Sequence, residues 1–168
     1  MTLFEILTVI IGSLTACILV VQAGLALKAI KADHERRKKQ ATIEFVQKIR
    51  PAWLEARNKI EERWGKNPLT SKELEEIDND FQLLKLVRNL LGLLEHLSVG
   101  MNTSVYDKDM LFRMSGSFLI NIHNRFRSYI DKVQVINPTA YIEYQNLVSD
   151  FEERKRTKPS TKGDIIHS

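Results

Sequence analysis

The sequence predicts an all-α protein: one N-terminal transmembrane helix followed by an antiparallel four-helix bundle. Two observations predict it. Ile6 to Leu27 runs for 22 residues with no ionisable side chain except the thiol of Cys17. Beyond it, apolar residues recur at helical spacing between clean glycine and proline breaks, and no strand-like alternation stands out. Residues 41–156 are enough for one hydrophobic core and too few for two domains.

The apolar run comes first. At ~1.5 Å per residue it makes about 33 Å of helix, enough to cross the hydrocarbon core with little tilt. Its N-terminal flank carries Glu5 and no Lys or Arg, which also excludes the basic start of a cleavable signal peptide. Its C-terminal flank carries Lys28, Lys31, Arg36, Arg37, Lys38 and Lys39 against Asp33 and Glu35. The positive-inside bias therefore expects the N-terminus outside and the rest in the cytoplasm. Leu14-Thr15-Ala16-Cys17 also fits a lipobox, so a lipoprotein lipidated at Cys17 is an alternative. The non-basic start and the apolar residues after Cys17 oppose it. Thr8, Gly12 and Ala16 recur every four residues, a small-residue face on which two spans could meet. As the only cysteine, Cys17 forms no internal disulfide and says nothing about compartment.

Four helices follow. From Ala41 to Trp64, the stripe Val46, Ile49, Trp53, Ala56, Ile60 and Trp64 defines the first. Pro51 should kink or restart it, and Gly65 should end it. Thr70 with Glu73 forms a capping box for the second, which runs to about Val99 with a break at Asp78-Asn79-Asp80 and is closed by Gly100. Its second part is so apolar that it belongs at the centre of the bundle. Asp107 caps the third, Lys108 to about Ile136, whose face is Leu111, Met114, Phe118, Ile122, Phe126, Tyr129, Val133 and Ile136. Asn137-Pro138 reads as the cap and first turn of the fourth, which runs to about Arg156 with Tyr141, Tyr144, Leu147, Val148 and Phe151 inward. The organisation expected is a segment and span at 1–27, a basic juxtamembrane extension at 28–40, a cytoplasmic bundle at 41–156 and a disordered tail at 157–168. Up-and-down order would return the 100–106 loop and the tail to the bilayer.

Charge follows the same division. The chain is +4 overall; residues 28–39 hold six basic against two acidic residues, and residues 154–168 five against one. The stretch 40–153 between them has 14 basic and 17 acidic residues. Anionic lipid is therefore the expected partner of Lys28, Lys31, Arg36, Arg37, Lys38, Lys39, Arg154, Lys155, Arg156 and Lys158. Nucleic acid is not expected, because the folded body is acidic.

The sequence signals no catalytic, metal or cofactor site. His34, His96, His123 and His167 have no metal-ligand spacing, and no glycine-rich phosphate loop or nucleophile elbow occurs. Lys85, Arg88, Glu95 and His96 form a polar stripe on the second helix that could face Arg113, Ser117, Asn121 and Asn124 as a buried network, or lie in solvent. Asn124-Arg125-Phe126-Arg127 reads as one core phenylalanine between surface arginines.

Leu90 to Ile130 carries Leu94-Glu95, Val99-Gly100, Tyr106-Asp107 and Arg125-Phe126-Arg127. This segment resembles the central region of a bacterial family of small single-span proteins catalogued as domain of unknown function 4760. The resemblance implies an N-terminal span, a cytoplasmic helical domain and a bacterial inner-membrane home, and brings no activity. The expectation is a non-enzymatic single-pass protein whose bundle binds an unidentified protein partner or a second copy of itself. Alternatives are a membrane-linked effector in phage defence or exclusion, and an enzyme using Arg88, Glu95 and His96.

Overall fold

The structure, a computed structural model, describes residues 2–157. They form five helices: α1 (Leu3–Trp64), α2 (Ser71–Asn79), α3 (Phe81–Asn102), α4 (Lys108–Ile136) and α5 (Ile142–Thr157). Among the described residues there is no strand. The chain divides into two compact units, one ending at Gln40 and one beginning at Ala41. The expected tail after Thr157 lies outside the described residues.

The first unit is helical from Leu3 onward, and its side chains from Ile10 to Arg37 are all exposed. The second unit holds the core. Val46, Ile49, Trp53, Ala56 and Ile60 of α1 are buried as their spacing predicts. They meet Val87, Leu90, Leu91, Leu94 and Leu97 of α3, Leu111, Leu119, Phe126 and Ile130 of α4, and Tyr144, Leu147, Val148 and Phe151 of α5. Each such large side chain contributes about 1.5–3 kcal/mol on burial. The α5 helix packs on α3 and α4, and α2 packs on α3. Two hydrogen bonds tie α1 to the α4 region: Asp107 N–H donates to Thr42 Oγ1 at 2.7 Å, and Arg125 Nη2 donates to the Ile60 carbonyl at 3.3 Å. Both join residues 65 apart, so α1 and α4 run in the same direction there.

Several helix ends follow local chemistry read from the sequence. Gly65, at φ +73°, ends α1. Thr70 and Glu73 form the capping box of α2. Asp80 closes α2 and caps α3, its Oδ1 accepting from Gln82 N–H at 3.0 Å and Leu83 N–H at 3.1 Å. The expected second helix is thus two. Asp107 caps α4 through Met110 N–H at 2.8 Å.

Four expectations need correction. The α1 helix does not restart at Pro51; Pro51 and Gln47 both lie on the exposed face, where the Gln47 carbonyl left without a donor meets water. Gly100 does not close α3, which runs on to Asn102. The glycine is needed because a Cβ there would overlap the Tyr106 ring. Asn137 closes α4 by donating its N–H to the Val133 carbonyl, and its side chain then accepts from Thr139 in a turn. Tyr141, at φ +60°, ends that turn, and α5 starts only at Ile142. Met114 and Ile136, expected in the core, are exposed, and Ile136 stands at the very end of α4 with 87% of its surface free.

Candidate functional site

Two surfaces carry functional promise, and the first is the apolar part of α1. Phe4, Ile10, Ile11, Leu14, Ile18, Leu19, Val20, Val21, Leu25 and Leu27 are all exposed. Soluble monomers rarely show apolar patches beyond a few hundred Å². Two hydroxyls within the run are satisfied inside the helix: Thr8 Oγ1 donates to the Phe4 carbonyl at 2.9 Å and Thr15 Oγ1 to the Ile11 carbonyl at 2.8 Å. That suits a medium offering no water to bond. The helix is long and apolar enough to cross a membrane. Thr8, Gly12 and Ala16 lie along it, and a Cβ added to Gly12 would meet nothing within 4 Å. Cys17 is a free, exposed thiol.

The basic run follows on the same helix. Lys28, Lys31, Arg36, Arg37 and Lys39 are exposed and Lys38 is half-buried. Arg37 pairs with Asp33 at 2.8 Å. The second basic segment is less uniform. Arg154 is engaged by Asp109 and, at 3.3 Å, by Asp150, which also meets Lys108 at 3.2 Å. Lys155 and Arg156 are exposed, and Lys158 lies outside the described residues.

The second surface is the polar stripe of α3. Lys85, Arg88 and His96 are exposed, and the His96 ring lies 6.0 Å from that of Phe45. Glu95 is half-buried and turns to α5, not to Arg113, Ser117, Asn121 and Asn124 of α4. Its two oxygens accept from the backbone N–H groups of Glu143 and Tyr144. Lys85 and Asn89 instead line an open cleft of about 500 Å³ between α1 and α3, opposite Glu55, Lys59 and Arg63. Among the described residues, no group of three or more His, Cys, Asp or Glu could hold a metal ion.

Two α4 residues were missed by the sequence reading. Arg125 is no surface arginine; only 5% of it is exposed. The signal was available, since Ile122, Arg125 and Tyr129 step by three and four along one face. Burial lowers the pKa of its guanidinium, against the pull of Glu61 and Glu73. His123 is half-buried, with its ring edge-on to Tyr144 at 5.7 Å. Its ring nitrogens are buried with no hydrogen-bond partner in good geometry.

Neither the curated proteins nor the solved structures provide a significant match to this chain. A family model does, over residues 15–151, which takes in the end of the apolar run, the basic run and nearly all of the second unit. The chain therefore belongs to the family described as domain of unknown function (DUF4760).

Proposed function

We propose that the chain is a single-pass protein of the inner (plasma) membrane, with its N-terminus outside and a cytoplasmic four-helix bundle. The bundle acts by binding a protein partner or a second copy of the chain, without catalysis. The observation that carries this reading is the apolar run of α1, exposed from Ile10 to Leu27 and followed directly by Lys28 to Lys39. An apolar helix in that state needs lipid or protein around it, and the basic flank selects the inner leaflet. Each cation near an anionic surface adds about 1 kcal/mol of attachment. The parallel course of α1 and α4 supports a bundle of α1, α3, α4 and α5, because with the short α2 set aside α4 is the third helix, and the first and third share a direction in up-and-down order. The commitment of the Glu95 carboxylate to two backbone amides supports a structural role for that residue over a catalytic one. Thr8, Gly12 and Ala16 are the proposed contact between spans.

A reporter fused after Ser168, active only in the cytoplasm, tests the arrangement, and the same fusion with Cys17→Ser tests lipidation. The expected result is full cytoplasmic signal in both. A signal from the outer side, or one that depends on Cys17, would overturn the topology. Crosslinking in cells should capture a dimer or a defined partner; a strictly monomeric, unpartnered chain would remove the interaction role.

A further inference from the structure

Arg125 lies against a cavity of about 260 Å³ between α1 and α4, inside the second unit. Arg57 and Glu61 line it from α1, Lys66 from the following loop, and Asn121 and Asn124 from α4. Three cations thus face one carboxylate. The Arg125 guanidinium is held but not fully satisfied. Arg125 uses Nη2 on the Ile60 carbonyl, while its backbone carbonyl accepts from Leu69 N–H at 3.1 Å and so fixes the loop that carries Lys66. Its Nε is buried with no hydrogen-bond partner. Arg57 Nε lies 3.2 Å from Glu61 Oε1, yet it too is buried and makes no aligned hydrogen bond.

A buried guanidinium N–H without an acceptor, as at Arg125, is costly and rare, and the strong cation bias around it favours an anion. Two guanidiniums on facing walls, Arg57 from α1 and Arg125 from α4, with an ammonium and two side-chain amides beside them, offer more donors than the two oxygens of one carboxylate can use. A tetrahedral oxyanion can use them, and the planar arginine fork matches it. The cavity is smaller than the ~300–1,000 Å³ of drug-sized sites, so it suits a small anionic group or the anionic end of a larger molecule.

We propose that this cleft binds a phosphomonoester, with Arg57, Arg125 and Lys66 on the phosphate oxygens and Asn121 and Asn124 at the rim. The group could come from a soluble phosphate compound or from a monoester lipid headgroup, and the test separates the two. The full chain is placed in phosphatidylcholine nanodiscs and its thermal unfolding is followed. One arm adds inorganic phosphate, with sodium acetate and sodium chloride at matched ionic strength as controls. The other replaces part of the lipid by phosphatidic acid, with phosphatidylglycerol as the control of equal surface charge.

The expected result is a rise of a few degrees in midpoint with phosphate or with phosphatidic acid, absent from the controls. Response to phosphate identifies the soluble source; response to phosphatidic acid alone identifies the headgroup. Arg57→Gln and Lys66→Gln, neither deeply buried, should fold as the parent and bind at least tenfold more weakly. Arg125→Lys should keep the charge and lose most of the binding; if it fails to fold, the other two variants carry the test. No shift in either arm, an equal shift in the controls, or unchanged binding by Arg57→Gln and Lys66→Gln would overturn the proposal.

Discussion

The Glu95 carboxylate of α3 accepts the backbone N–H of Tyr144 at 2.8 Å and that of Glu143 at 3.3 Å. It thereby caps α5 from another helix. The residue just before α5, Tyr141, has a left-handed backbone and offers no short polar side chain for that task. Glu95→Ala should leave two amides short of an acceptor and lower stability by about 1–2 kcal/mol. Glu95→Gln, which keeps one oxygen, should lose less. Urea unfolding of the full chain in detergent measures both; an alanine variant as stable as the parent would refute the capping role.

Gly100 and Tyr106 form a second fitted pair. The Tyr106 N–H donates to the Gly100 carbonyl at 3.1 Å, and the Tyr106 ring lies where a Cβ on Gly100 would stand, with the Phe45 ring 5.1 Å from it. Gly100→Ala is expected to destabilise by about 1–3 kcal/mol through overpacking. Tyr106→Ala should also destabilise, and the double variant should cost clearly less than the sum of the two. Additive losses in the double-variant cycle would disprove the contact.

His123 makes stability depend on pH. Burial is the main cause that lowers its pKa below 6.5, Arg127 acts in the same direction, and Asn124, Glu152 and Asp131 oppose them. The folded state therefore prefers the neutral ring, and the unfolded chain binds the proton more readily. The resulting stability is present above the ordinary histidine value and is lost as pH falls through the folded one. Unfolding midpoints should decline between about pH 7.5 and about pH 5.5, above the range where most carboxylates titrate. The same series with His123→Phe should be flatter. An identical slope in the variant would place the dependence elsewhere.

The basic run after Leu27 should control orientation. Replacing Lys28, Lys31, Arg36, Arg37, Lys38 and Lys39 by Gln, with two lysines added next to Glu5, is expected to move much of a C-terminal reporter to the outer side. Replacing Arg154, Lys155 and Arg156 should leave orientation unchanged, because charges far from the span contribute little to it. Retained cytoplasmic signal in the first variant would show that another feature sets topology.

What was legible in the sequence was local. The Thr70–Glu73 box, the Asp107 cap and the Gly65 stop rest on contacts within four residues, and each is present. The α1 stripe was legible because burial on a helix follows its period. Glu95 and Arg125 were not, because their partners lie 49 and 65 residues away and depend on how helices pack. Asn137-Pro138 was misread for a related reason. Its turn chemistry is real, but left-handed Tyr141 interposes before the helix. Met114 and Ile136 fit the period of α4, yet neither is buried in the core.

The paired bonds from Thr42 to Asp107 and from Ile60 to Arg125 have a consequence for biosynthesis. Each closes a loop of 65 residues, so the stripe from Val46 to Ile60 cannot reach α4 until that much more chain has left the ribosome. At ~5–20 residues per second, the stripe waits about 3–13 s without its final cover. During that interval, Trp53 and its neighbours are a ready target for a chaperone, and this stretch is where a slowed or truncated translation product of the chain should be captured.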